Sequence, residues 1–392
     1  MYLVPRLRPF TTTIFAEMSA LAVSTGAINL GQGFPDTDGP AAMLQVAREA
    51  IAGGHNQYPP GPGIPELRRA IADQRRRDYG QEFDSDREVL VTVGATEAIA
   101  AAILALVQPG DEVVLFEPYY DSYPAAVAMA GARAVAVPLR PDSAGRFTFD
   151  PAELAAAITP ATRVLMVNTP HNPTGTVFGT DELAAIAALA VEHDLLVVAD
   201  EVYEYLTFDD ATHQPIATLP GMAERTVTIS SAGKSFNVTG WKIGWVCGTA
   251  ELVSAVRAAK QFLTFVGGGP FQPAVAHALD HESAWVKGLR MTLHSSRDRL
   301  CAGLMDAGFT VFRPQGTYFV VADIRPVAQR WGMPADGMAF CHELPRRAGV
   351  VAVPMQVFYD RPETGSHFIR FAFCKKDEVI DEAVTRLSAS AG

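Results

Sequence analysis

Thr228-Ile229-Ser230-Ser231-Ala232-Gly233-Lys234-Ser235-Phe236-Asn237-Val238-Thr239-Gly240-Trp241-Lys242-Ile243-Gly244 is the stretch from which the rest of the chain is best read. A β-branched run, Thr226 to Ile229, leads into small residues, and Lys234 then stands where neither an amphipathic helix nor a solvated face would place it. Ser231 lies three residues before it and Lys242 eight residues after it. A hydroxyl and a second cation can therefore converge on one anion while Lys234 stays free for covalent chemistry. A lysine amine condenses with an aldehyde to an imine, and the cofactor that joins an aldehyde to a phosphate is pyridoxal phosphate. The spacing reads as a cofactor anchor.

Working outward, the wholly apolar run Leu195 to Ala199 predicts a central strand covered on both faces, ending at Asp200-Glu201-Val202-Tyr203. A carboxylate at the end of a buried strand needs a cation, and a protonated pyridine nitrogen is one. Tyr203 is spaced to reach the other side of such a ring. A strand over Arg163 to Val167 leads to Asn168-Thr169-Pro170-His171-Asn172-Pro173-Thr174-Gly175, a polar turn that no helix or central strand tolerates. Val89 to Val93 runs into Gly94-Ala95-Thr96-Glu97 and then a buried helix, Ala98 to Val107. That order suits a phosphate on helix amides at Ala95 and Thr96, and it equally suits an ordinary N-cap by Thr96. The strand Glu112 to Phe116 delivers Tyr119 and Tyr120, either of which can stack on a flat ring. Two glycines flank Gln32 in Asn29-Leu30-Gly31-Gln32-Gly33, as a ligand contact or a tight turn would require. Asn56 to Gly63 is a surface loop.

Beyond the lysine the pattern predicts a strand from Trp245 to Gly248, a helix from Glu251 to Phe265 closed by Gly267-Gly268-Gly269, and a long helix from Pro273 to Leu304 interrupted near Asp280 to Ser283. Strands are expected over Thr317 to Ala322 and Val350 to Pro354. Arg370 follows in the aromatic run His367 to Phe373, where a buried guanidinium demands an anion, either a structural carboxylate or a ligand. Alternating strands and helices from 89 to 248 indicate an α/β sandwich around a mostly parallel sheet with ligands at the strand carboxyl ends.

The 392 residues exceed one compact core, and the 48% hydrophobic fraction supports a large one. A net charge of -11 leaves no basic face for a phosphate backbone, so no nucleic acid partner is expected. The most apolar run, Ala98 to Val107, is about half the ~20 residues of a membrane span. The first thirty residues lack the pattern of an export signal, which predicts a cytoplasmic protein. Cys247, Cys301, Cys341 and Cys374 show no pairing rhythm, and His277 with His281 has no third ligand at a suitable spacing, so neither disulfides nor a metal are expected.

With these residues in hand, the chain from about Pro9 to about Lys376 resembles the class I aminotransferases of fold type I, most of all the branch of N-succinyldiaminopimelate, methionine and kynurenine or glutamine-phenylpyruvate aminotransferases. The resemblance implies an arm and part of a small domain over 1–35, a large α/β domain over 36–275 that binds pyridoxal 5'-phosphate, and a small α+β domain over 276–392. It implies that Lys234 is the catalytic amine, that Asp200 faces the pyridine nitrogen, and that Asn172 and Tyr203 reach the phenolate. It further implies Tyr120 against the ring, and Ala95, Thr96, Ser231, Lys242 and the other subunit's counterpart of Tyr58 on the phosphate. Lys242 stands where many aspartate-type enzymes carry arginine. Arg370 would clamp the substrate carboxylate, with Gly33, Asn168, Asn172 and Phe15 as further substrate contacts. The partners implied are an amino acid, a 2-oxo acid and a second copy of the chain, with shared sites. The side-chain-free Gly267 to Gly269, if they border the pocket, leave room for N-succinyl-LL-2,6-diaminopimelate with glutamate and 2-oxoglutarate. Methionine or kynurenine transamination and cysteine-conjugate β-elimination are the alternatives.

Overall fold

Seven strands carry the strand-end residues singled out above into one sheet. In the computed structural model, which describes residues 2–11 and 13–390, they are β1 (Val89–Val93), β2 (Glu112–Glu117), β3 (Arg133–Pro138), β4 (Thr162–Asn168), β5 (Leu196–Asp200), β6 (Thr226–Ser231) and β7 (Ile243–Cys247). Their order across the sheet is β1-β7-β6-β5-β4-β2-β3. All neighbours run parallel except β7, which is antiparallel to both β1 and β6. The reversal matters, because it brings the amino end of β7, and with it Lys242, to the edge where β4, β5 and β6 end.

The period of two along each strand sends alternate residues into separate cores. Leu165, Val167, Val197 and Ala199 pack to one side, and Val164, Met166, Val198 and Ile229 to the other. Helices on both faces, such as Gly94–Leu106 and Thr180–Glu192, complete the layers. This is an α/β sandwich around a mostly parallel sheet, as the sequence predicts.

A second sheet is antiparallel, with β8 (Thr310–Phe312), β9 (Phe319–Asp323), β10 (Val353–Pro354) and β11 (Phe368–Ala372) in the order β8-β9-β11-β10. The helices Gln272–His281 and Ser283–Asp306 precede it, broken where the sequence predicts. The helix expected from Ala98 starts at Gly94 and the strand expected from Trp245 at Ile243, and three further boundaries differ from expectation for local reasons. The helix from Ala250 stops at Lys260, because the Lys260 amine is buried and donates to the carbonyls of Phe265 and Gly61, folding the following residues back. The strand expected from Thr317 starts at Phe319, since Thr317 adopts φ 66°, outside extended geometry. The run from Val350 divides, with Val350–Val351 pairing in parallel with Ile28–Asn29 and Val353–Pro354 joining the second sheet. Among the described residues no helix is long and apolar enough to cross a membrane.

Candidate active site

A cavity of about 350 Å³ lies at the carboxyl edge of the large sheet. Lys234 enters it from the short helix Ala232–Ser235 that follows β6. Burial pulls its ammonium down to about 8, so the neutral amine is accessible near neutral pH. Its Nζ donates to the Tyr318 hydroxyl at 2.7 Å.

Asp200 ends β5 and is 3% exposed. The Tyr123 hydroxyl donates to its Oδ2 at 2.7 Å and the Val202 amide to its Oδ1 at 3.2 Å. Burial nevertheless pushes its carboxyl up to about 6, since neither donor carries a charge. Among the described residues it has no cation within ion-pair distance. Tyr203 and Tyr120 also line the cavity, whereas Tyr119 does not. Of the two tyrosines left open by the sequence, only Tyr120 is placed to meet a ring.

At the other end, the helix begins at Gly94 with Val93 in the cap position, and no side chain caps its amides. Thr96 sits inside the first turn, so it is not the N-cap. Gly244 of β7 makes this approach possible: a Cβ there would fall 2.6 Å from the Gly94 carbonyl carbon and 2.8 Å from the Ala95 nitrogen. Lys242 holds φ 55° at the entry to β7, and its Nζ lies against Gly94, where a Cβ would stand 3.2 Å away. Free helix amides, a lysine, and Ser231 on the same cavity wall form a cradle of the charge a phosphate requires.

Arg370 rises from β11 and is 2% exposed. Its Nη1 donates to Asn172 Oδ1 at 3.0 Å and its Nη2 to the Gly31 carbonyl at 3.2 Å, while its Nε has no partner. The structural carboxylate that would have explained it is absent among the described residues. Burial brings this guanidinium down to about 10, with the ring of Phe319 3.9 Å and that of Phe15 5.3 Å from its centre. Gly33 and Asn172 line the same space. Asn168 stands behind the wall: its Oδ1 accepts from the Asn172 amide at 2.8 Å and its Nδ2 donates to the Asp200 carbonyl at 2.9 Å. The contact expected of Asn168 is thus made with backbone, and its effect on a substrate would pass through Asn172.

Tyr58, whose implied role is in the other subunit's site, and Gly267 to Gly269 lie outside this cavity. Tyr58 is 81% exposed and points elsewhere, edge-on to Phe265 with centroids 5.6 Å apart. A Cβ on Gly268 would come 2.1 Å from Ile243 Cδ1, so the lack of side chains serves close packing rather than leaving room in this chain's own cavity. Sequence reading also passed over Tyr123 and Tyr318. The former was visible as a third tyrosine one helical turn past Tyr120, whereas the latter had no local signal.

An amine near neutral pKa, a buried carboxylate without a cation, a cradle for phosphate and a guanidinium without an anion fit the aldehyde, pyridine nitrogen and phosphate of pyridoxal phosphate, plus a carboxylate beside it. The sequence profile of the family described as aminotransferase class I and II matches residues 25–387. A probable N-succinyldiaminopimelate aminotransferase of Mycobacterium tuberculosis is 59% identical, over 99% of this chain and 98% of that one. The methionine aminotransferase of Escherichia coli is 39% identical over 97% of each. The solved structure of N-succinyldiaminopimelate aminotransferase from Mycobacterium tuberculosis superimposes with a TM-score of 0.96 at 60% identity, covering 99% of this chain and all of that one.

Proposed function

The chain belongs to the class I and II aminotransferases, enzymes that use pyridoxal 5'-phosphate, and from that premise we propose that it exchanges the amino group of N-succinyl-LL-2,6-diaminopimelate with 2-oxoglutarate. The observation that carries the choice of substrate is the 59% identity over nearly the whole chain to a relative bearing that name.

The cofactor, when bound, supplies an aldehyde for the amines and a ring that accepts the electron pair left by a departing α-proton. Ala95, Thr96, Ser231 and Lys242 would hold its phosphate, and Asp200 its pyridine nitrogen. Asn172 and Tyr203 would reach its phenolate, and Tyr120 its ring face. Arg370 orients the substrate through its carboxylate, using N–H groups that the chain itself leaves unpaired. Lys234 Nζ takes the proton from the substrate's α-carbon, which a pKa near 8 suits to work near neutrality. The aromatic rings around Arg370 keep water from competing for it.

The same reading includes a homodimer with shared sites. Exposed Tyr58 edge-on to exposed Phe265, with Phe262 and Leu263 exposed in the same segment as Phe265, supports it, since exposed large apolar side chains in contact mark an interface. Four buried free thiols are in keeping with a reducing cytoplasm. Domain limits near residues 35 and 275 belong to the same proposal.

The test is a comparison of kcat/KM for the succinylated substrate, methionine, kynurenine and phenylalanine, each with 2-oxoglutarate. The succinylated substrate should lead. A tenfold preference for any other, about 1.4 kcal/mol of transition-state binding, would overturn the assignment. Release of pyruvate and ammonia from cysteine conjugates in place of amino transfer would point to a lyase.

A further inference from the structure

Lys234 has two polar neighbours on its amine. Its Nζ lies 2.7 Å from the Tyr318 hydroxyl and 3.4 Å from the Gly33 carbonyl oxygen, and the Tyr318 hydroxyl is itself 2.5 Å from that carbonyl. A carbonyl only accepts, so the hydroxyl directs its single proton to Gly33 and can offer Lys234 only a lone pair. Lys234 therefore faces two acceptors. A neutral amine has two N–H bonds and one lone pair, and donating both hydrogens leaves the lone pair turned away from the acceptors. Lys234 lines the cavity while its nearer acceptor, the Tyr318 hydroxyl at 2.7 Å, lies behind the wall, so a lone pair turned away from Tyr318 faces the cavity.

Tyr318 is itself held. It is 1% exposed, packed edge-on against Tyr203 and Phe319 with centroids 5.3 and 4.8 Å away, and its carbonyl accepts from the Phe373 amide at 2.9 Å. Burial keeps its phenol protonated far above the ordinary range. The titratable groups facing Lys234 divide: Cys374 and Asp200 favour the ammonium, Arg370 and Lys242 oppose it, and burial, the largest influence, shifts the balance toward the amine.

We propose that Tyr318 is a positioning residue which, with the Gly33 carbonyl, holds the neutral Lys234 amine by both its N–H bonds and aims the lone pair at the substrate's α-carbon. This rests on the aminotransferase reading of the site.

The experiment uses Tyr318→Phe in two forms. In the loaded enzyme, the amino-acid half-reaction should lose about 10²-fold in kcat with KM nearly unchanged, as misaligned proton transfer would. In the cofactor-free protein, competitive acetylation of Lys234, read by peptide mass across pH, should show its midpoint moving down, because an acceptor that favours the ammonium is gone. Unchanged kcat, or a fallen kcat with an unmoved midpoint, overturns the proposal, the latter marking a role in packing alone. Should the variant not fold, 3-fluorotyrosine at position 318 keeps both contacts but accepts more weakly, so the midpoint must still fall; an unmoved midpoint again overturns it. Failure of the aminotransferase reading is separate: wild-type enzyme would then transfer no amino group at all, while the acetylation midpoints still report on Tyr318.

Discussion

Asp200 and Glu201 are consecutive, both buried at the end of β5, and their surroundings are opposite. On the side of Glu201, Arg75 reaches Glu201 at 3.0 Å and Glu204 at 3.2 Å, and His213 lies 3.2 Å from Glu201. Burial alone would raise the Glu201 carboxyl, but Arg75 and His213 outweigh it and hold it below its ordinary value. Burial alone would weaken Arg75, but Glu201 and Glu204 raise it. On the side of Asp200 the chain contains a carboxylate and an arginine too, yet Asp200 and Arg370 do not pair, and each is pushed toward its neutral form. One face is an ion cluster in which each carboxylate has a cation beside it. The other keeps its charges apart, at a cost in stability that only a ligand of matching charge recovers.

Arg75 carries the largest expected effect. Arg75→Met leaves two buried carboxylates without their cation and should cost ~3–5 kcal/mol of stability, read by urea unfolding, with the kcat of the folded enzyme unchanged. A loss below about 1 kcal/mol would mean that the cluster is not the support described. Asp200→Asn should do the reverse. Activity should fall about 10²–10³-fold, ~3–4 kcal/mol, for every amino acid tried. The cofactor-free protein should become more stable at pH 7. The folded carboxyl titrates near 6 against an ordinary 3.8, so its contribution is fully present below 3.8 and lost as pH climbs to about 6. That loss is roughly 3 kcal/mol and is absent in the asparagine variant. Unfolding curves at pH 4 and pH 7 check it, and equal stability of the two proteins at pH 7 would count against an unpaired Asp200. Arg370→Lys is the mildest. The charge stays and the fork goes, so kcat/KM for carboxylate substrates should drop by about 1.5–3 kcal/mol, chiefly through KM. An unchanged KM would mean that Arg370 does not hold the carboxylate.

The side facing Asp200 was largely legible from sequence, and the side facing Glu201 was not. Asp200 ends and Asn172 follows a strand whose apolar run announces its own end, and Lys234 follows a β-branched run, so strand-end chemistry stands out against them. Arg75 sits in Arg75-Arg76-Arg77, which reads as a solvated charge run. Only the helical phase, with Leu67, Ile71, Gln74 and Arg75 buried on one face of Pro65–Tyr79, separates it from its neighbours. Tyr318 was hidden for another reason. It is 84 residues from Lys234 in an aromatic stretch, and local pattern carries no record of which distant group a buried hydroxyl meets. The helix past Lys260 was overextended because a lysine near a helix end looks like a solvated one, while here its amine is turned inward onto two carbonyls.

The cavity's two separated charges are joined by a hydrogen-bonded line of amides, from Arg370 through Asn172 and Asn168 to the backbone of Asp200. Every link between the guanidinium and the strand is neutral. A spacer of that kind neither titrates nor responds to ionic strength as an ion pair does. The separation between the two charged stations is thereby fixed like the gap of a gauge, so that changes in pH or salt alter how strongly each station attracts its ligand without altering how far apart they stand.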